Sequence, residues 1–135
     1  MSSPDPLAFA RDLLLELVPG TALATVPIRA DCLEEGDEPP VILLRDAGAL
    51  RHRGLPAFHP ARVDVVCYGE TPEQAASLFR GVSDLLHRAG PLKRDGVALW
   101  KAYDETGPSP SVDPDTRWPL AFGVVALHLA DEAFA

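Results

Sequence analysis

The sequence predicts an α+β domain: a mixed or antiparallel sheet of four to five strands with two helices on one face. Two segments repeat apolar residues at helical spacing, and five short apolar or alternating runs have the length of strands. Their order along the chain is α-β-β-β-α-β-β. The 14 prolines among 135 residues, about twice the usual ~5%, favour stiff connections and edge strands over a helical bundle. This length fits one domain covering residues 1–135.

The first helix is expected over residues 5–18. Asp5 is a suitable N-cap, and Pro6 fits the first helical position. From Leu7 onward, apolar residues recur at i, i+3, i+7 and i+10, which places them on one face. A Pro-Gly pair at 19–20 ends the helix.

Three strands are expected between the helices. Residues 23–29 alternate weakly, residues 41–45 form a short apolar run, and residues 61–68 alternate clearly. An acidic loop at 31–40 separates the first two of these strands. Residues 46–60 contain two Gly, two Pro and two Arg, and this composition predicts a long loop.

The second helix has the clearest start signal in the chain. Thr71 is the expected N-cap, Pro72 takes the first helical position, and Gln74 completes a capping box. Apolar residues then recur along one face of the helix. Gly90 followed by Pro91 is expected to end it.

The last third of the chain predicts two strands joined by a long connection. Residues 97–103 form the first strand, in which Trp100 and Tyr103 are expected as half-buried core residues. Residues 104–118 contain three prolines and predict a polar loop, whose part 107–114 is expected to be mobile in the free subunit and to contact a partner. Residues 119–129 are apolar on both faces, which indicates a central or interface strand.

Composition excludes several function classes. There are 12 Lys+Arg against 20 Asp+Glu, a net charge of −8, which disfavours binding to a phosphate backbone. Cys32 and Cys67 are 35 positions apart with no C-x-x-C, so a zinc knuckle is not expected. Neither a signal peptide nor a run of ~18 apolar residues is present, so we expect a soluble protein that folds in a cytoplasm without a membrane partner.

No catalytic motif stands out, and the sequence therefore predicts no enzyme, no metal and no cofactor. Phosphate-cradling glycine motifs, a nucleophile elbow and H-E-x-x-H are all missing from the sequence. Ser83, Asp84 and His87 share one helix, which is the wrong scaffold for a triad. Asp113 and Asp115 are expected to act as turn residues, with an Asp side chain bonding the backbone two residues on. The four histidines lack ligand spacing.

One basic cluster interrupts this acidic chain, at Arg51, His52 and Arg53. Two interpretations remain open: a solvated loop, or a contact to an acidic neighbour, most simply another copy of the chain.

Two pieces of sequence, taken in order, carry a family resemblance. The first is the strand at 62–68 with acidic Asp64, followed by Gly69 and a helix opening Thr-Pro-Glu-Gln-Ala. The second is the Asp-Pro-Asp-Thr turn at 113–116, followed by an aromatic residue, a proline and a long last strand. Over residues 5–130 the chain resembles the tail terminator (tail completion) proteins of long-tailed bacteriophages.

This resemblance implies a structural virion protein without enzymatic activity. Such proteins form a six-membered ring on the head-proximal end of the tail tube, end tube polymerisation and dock to the head connector. The implied partners are other copies of the chain, the tail tube protein and the head-tail connector protein, while DNA passes through the lumen without specific binding. The implied location is the virion tail, after assembly in the host cytoplasm.

Candidate residues for this role fall into two groups. The candidate contacts to subunits or partners are Arg51, His52, Arg53, Trp118, Phe122 and Val124. The candidates for an acidic lumen are Glu34, Glu35, Asp37, Glu38, Asp113 and Asp115. Three alternatives remain: a head-tail connector (neck) protein, a small cytoplasmic ligand-binding or enzyme domain, and an interaction module with an acidic surface.

Overall fold

The computed structural model describes residues 5–49, 58–94 and 96–131, in which two helices pack on a six-stranded sheet. The α+β class is confirmed, whereas the expected count of four to five strands is wrong. The elements are α1 Pro6–Leu17, β1 Ile28–Ala30, β2 Val41–Ala49, β3 Phe58–Tyr68, α2 Pro72–Ala89, β4 Leu92–Arg94, β5 Val97–Val112 and β6 Pro119–Asp131.

Both helices begin at the predicted caps. The Asp5 side chain accepts hydrogen bonds from two backbone N–H groups of the first turn of α1. At α2, Thr71 Oγ1 accepts from the Gln74 backbone N–H at 3.1 Å, and Gln74 Oε1 accepts from the Glu70 N–H at 2.6 Å. These reciprocal bonds satisfy N–H groups that a helix start leaves without partners. The C-cap of α2 is Gly90.

The strand order across the sheet is β1-β2-β3-β6-β5-β4. β1 runs parallel to β2, and every other neighbouring pair is antiparallel, so the sheet is mixed. The last strand, β6, lies between β3 and β5, which confirms the central position expected from its apolar residues on both faces.

Both helices cover the same face of the sheet. Their buried residues, including Leu14 and Phe79, share one core with Val63, Val65 and Leu127 of the strands. We call the opposite face, on which the described residues include no helix, the open face. Its main residues are Val41, Leu43, Arg62, Asp64, Val66, Tyr68, Tyr103, Leu120, Phe122, Val124 and His128.

The main error of the sequence prediction is the loop expected over 104–118. β5 continues to Val112 and pairs with β6 as far as Val112 opposite Pro119. The pairing register between β5 and β6 shifts at three places. These lie between Leu99 and Lys101, between Asp104 and Thr106, and between Thr106 and Ser109. Long-range pairing with β6 thus overrides the local turn signals, and only residues 113–118 connect the two strands.

Other boundaries also differ from the predictions. β1 covers only residues 28–30, because residues 21–26 fold into turns; the Thr21 hydroxyl bonds back to the Val18 carbonyl at 2.7 Å. β2 extends to 49 and β3 begins at 58, so the expected loop over 46–60 is shorter. The three-residue strand β4 was not predicted.

Candidate functional site

The open face carries a small apolar cluster at one end. Val41, Leu43 and Tyr68 are buried there. Trp118 is half-buried and meets Tyr68 edge-on, with ring centroids 5.7 Å apart at 79°. The Trp118 ring therefore packs against the apolar cluster of this chain, and its expected role as a partner contact stays a prediction.

The turn that presents Trp118 is built by Asp113. Its Oδ1 accepts from the backbone N–H groups of Asp115 at 2.9 Å and Thr116 at 3.0 Å. These two bonds lower the pKa of the Asp113 carboxyl. The predicted turn role of this aspartate is confirmed. Burial, followed by the negative charge of Asp113, raises the pKa of Tyr68.

A charged band crosses the middle of the open face. Arg45 lies directly opposite Asp64 in the β2–β3 register. Arg62 donates to Glu105 Oε1 at 2.8 Å, across the strand β6 that separates β3 from β5. These opposite charges lie between the apolar cluster and the aromatic residues at the far end of the face.

Aromatic residues dominate that far end. The rings of Tyr103 and His128 have centroids 5.3 Å apart, and the Lys101 ammonium lies 5.7 Å from the Tyr103 centroid. Burial, and then the charge of Lys101, lower the pKa of His128. Beside this group, Trp100 borders an apolar hollow of about 170 Å³ formed with Pro91 and other β4–β5 residues.

Several large apolar side chains on or beside the open face reach solvent. Phe122 is 44% exposed, Trp100 is 47% exposed and Tyr103 is 39% exposed. Val124, two residues after Phe122 on the same face of β6, is half-buried. Phe122 and Val124 therefore lie on the same face of the sheet, and their role as contacts stays a prediction. The expectation that Trp100 and Tyr103 are half-buried core residues is wrong, because both helices that the structure describes lie on the other face of the sheet.

The acidic loop is organised around one cation. Arg29 donates to both carboxylate oxygens of Asp37, at 2.9 and 3.0 Å, and lies 3.3 Å from Glu34 Oε2. The Asp37 side chain is only 8% exposed and also accepts from the Glu34 N–H at 2.8 Å. The Arg29 hydrogen bonds lower the pKa of Asp37. Glu34 and Asp37, two of the predicted lumen carboxylates, thus bind Arg29 and stabilise the loop. Glu35 and Glu38 are exposed.

A buried serine joins α2 to β5. Ser83 Oγ lies 2.8 Å from both carboxylate oxygens of Asp104, and His87 Nδ1 lies 2.9 Å from the Ser83 carbonyl. Ser83 Oγ also lies 3.2 Å from His87 Nδ1, so one serine oxygen contacts both the Asp104 carboxylate and the imidazole. The sequence did not predict the bond between Ser83 and Asp104, because no local signal connects residues 21 positions apart.

A groove lies between the turns at 21–26 and α2. Its volume is about 480 Å³. Its lining mixes Leu23 and Leu78 with polar groups of Thr21, Gln74 and Asp84. The described residues contain no group of three or more His, Cys, Asp or Glu side chains placed to hold a metal ion.

The remaining predicted contacts fall elsewhere. Arg51, His52 and Arg53 lie outside the described residues. Asp115 is exposed in the 113–118 turn. In the part of the chain that the structure describes, no helix is long and apolar enough to cross a membrane.

No protein-family model matches the chain, and no curated protein matches it.

Proposed function

We propose that this chain is a structural virion protein that ends the growth of a bacteriophage tail tube. Copies of the chain form a ring, six-membered as in tail terminators, on the head-proximal end of the tube. The ring stops polymerisation and offers a docking surface to the head-tail connector. The proposal includes a location in the virion tail, after assembly in the host cytoplasm.

The observation that carries this proposal is the open face of the sheet. It leaves Phe122 and Tyr103 exposed beside half-buried Val124. Large apolar side chains grouped on one face with polar surroundings are typical of interaction surfaces. The charged band between the apolar cluster and the aromatic end provides groups that fix the register of a partner.

Net charge supports the passage of DNA through the ring. A charge of −8 on each copy repels phosphate groups, so DNA moves through the lumen without binding specifically. Exposed Asp115, in the turn at 113–118, is the carboxylate that we assign to this surface.

The test is negative-stain electron microscopy of the purified chain mixed with the tail-tube protein encoded alongside it. We expect tubes with a distinct cap at one end, and we expect Phe122→Asp to remove the cap without unfolding the chain. Leu15→Asp is the matched control, because Leu15 is 50% exposed on α1. Tubes left uncapped by folded wild-type protein would contradict the proposal and favour a head-tail connector.

A second candidate function rests on the groove beside α2. Its 480 Å³ volume and mixed lining are within the range of small-ligand sites. A thermal-shift screen against a metabolite panel tests this alternative. A ligand that raises the melting temperature of wild-type protein, but not of Gly81→Leu, would support a ligand-binding domain.

A further inference from the structure

The sheet ends in a short strand on each side. β1 and β4 have three residues each and occupy opposite ends of the strand order. Among the described residues, neither has a strand on its outer side. Each edge therefore offers unpaired backbone N–H and C=O groups to another chain. At about 3.3 Å per residue the two edges match in length, at roughly 10 Å.

The β1 edge is acidic. It continues directly into the segment 31–38, which contains five carboxylates, and Arg29 is the nearest cation in the sequence. The charge of Arg29 is already shared by Asp37 and Glu34. Asp31, Glu35 and Glu38 remain exposed at this end of the sheet.

The β4 edge is basic. Lys93 and Lys101 are both exposed, and the register places them on the same face, opposite Ala98 and His128. The hairpin sequence adds Arg94, against the single acidic residue Asp95, which lies outside the described residues. The apolar hollow beside Trp100 lies at this same edge.

The opposite charges of the two edges determine which edge of one copy can pair with which edge of another. A charged edge strand normally prevents two identical edges from pairing, because like charges face each other. Here two β1 edges repel and two β4 edges repel, whereas a β1 edge attracts a β4 edge. Such head-to-tail contacts are heterologous, and they close into a ring when the rotation between copies permits.

The part of β5 beyond Leu99, which β4 does not cover, is less suited to pair with a strand of another chain. Pro108 and Pro110 lack backbone N–H groups, and register shifts interrupt the strand between Leu99 and Ser109. Prolines and bulges are devices that keep an edge strand from pairing with another chain. The short strand β4 is therefore the favoured partner on that side of the sheet.

We propose that the acidic β1 edge of one copy binds the basic β4 edge of the next copy, extending the sheet from subunit to subunit. The occupant of each edge is a second copy of this chain. The inference rests on the proposed ring and identifies the surfaces that build it. Lys93 and Lys101 face the carboxylates of the neighbouring acidic loop.

Charge reversal on each edge tests this proposal. Glu35→Lys/Glu38→Lys cancels the negative charge of the β1 edge, and Lys93→Glu/Lys101→Glu makes the β4 edge acidic like the β1 edge. The first variant loses the attraction between its edges and the second brings like charges together, so each variant alone should associate with itself at least about tenfold more weakly than wild type. An equimolar mixture of the two variants should associate again, in alternating order. The readout is sedimentation velocity over a concentration series, with circular dichroism as the test of folding.

Glu70→Lys/Glu73→Lys is the matched control. It makes the same change in net charge as Glu35→Lys/Glu38→Lys, at two exposed positions at the start of α2 and away from both sheet edges, and it should associate like wild type. Self-association of the edge variants at wild-type strength, or failure of the mixture to restore it, would overturn the edge pairing.

The two proposals fail in different ways. If wild type forms rings that the edge variants form equally well, the edge pairing is wrong and the tail-terminator proposal stands. If wild type associates through its edges, and the mixture rescues the variants, but tubes stay uncapped, the edge pairing stands and the terminator proposal is wrong. A wild-type chain that remains monomeric, alone and with tubes, contradicts both.

Discussion

The two faces of the sheet share the same strands but complete their packing differently. On the covered face, Phe79 of α2 lies over Gly123 and is 1% exposed. On the open face, Phe122, the next residue of β6, is 44% exposed. Because neighbouring side chains of a strand point to opposite faces, one strand serves both surfaces. The covered face closes a core within one chain, whereas the open face leaves apolar area for other molecules.

The largest effect should come from truncating the same residue type on each face. Phe79→Ala removes a fully buried ring and should lower the free energy of unfolding by about 3–5 kcal/mol. Phe122→Ala should lower it by no more than about 1 kcal/mol, because that ring already contacts solvent. Urea denaturation followed by circular dichroism measures both values. Equal losses would show that the two faces are packed alike.

A smaller effect is expected from adding one methyl group to the covered face. A Cβ at Gly123 would overlap the Thr106 carbonyl oxygen and lie 2.7 Å from the Phe79 ring. Gly123→Ala should therefore cost about 1–3 kcal/mol of stability through overpacking.

Gly81→Ala is the matched control for that substitution. Its Cβ would meet only the flexible end of Leu23, at 3.2 Å, and alanine favours the helix interior by roughly 0.5–1 kcal/mol. We expect a thermal melting temperature close to wild type. Gly81→Ala unfolding as readily as Gly123→Ala would contradict this account of the close contact between Phe79 and β6.

The smallest effect concerns pH at the β1 edge. Because Arg29 and the Glu34 N–H hold the pKa of Asp37 below its usual value, the stabilisation by this carboxylate is complete above the ordinary aspartate range. It is lost as pH falls through the lower folded value. In an NMR titration, Arg29→Ala should raise the Asp37 pKa toward the ordinary value. An unchanged Asp37 pKa would show that Arg29 does not hold this loop.

The elements predicted well are those whose signals are local. The start of α2 follows from Thr71, Pro72 and Gln74, since a capping box needs only neighbouring residues. The alternation of residues 61–68 likewise located the inner half of β3. In both cases the chemistry that decides the structure lies within a few residues.

Prediction was wrong where distant residues decide the structure. Residues 104–112 contain Gly107 and Pro108 and resemble a loop, yet they pair with β6. Gly107 adopts φ +96°, and a side chain there would lie 2.7 Å from the Gly123 Cα. The glycine thus permits close approach of two strands, a requirement that only the paired structure reveals.

Only part of the candidate site could be predicted, because several of its contacts join residues that are distant in the sequence. Phe122 and Val124 followed from the two-sided apolar pattern of β6. The exposure of Trp100 and Tyr103 was not predicted, because it depends on which face of the sheet the helices cover. The bond from Ser83 to Asp104 likewise joins residues whose proximity depends on how α2 packs against β5.

The central claim is that this chain assembles through its sheet edges while its helices complete its own core. Hydrogen–deuterium exchange, measured on the free chain and on the chain bound to tail tubes, tests it most directly. We predict new backbone protection in Ile28–Ala30 and Leu92–Arg94 on assembly, with exchange in α2 unchanged. Protection that appears in α2, with both edge strands exchanging as in the free chain, would contradict the claim.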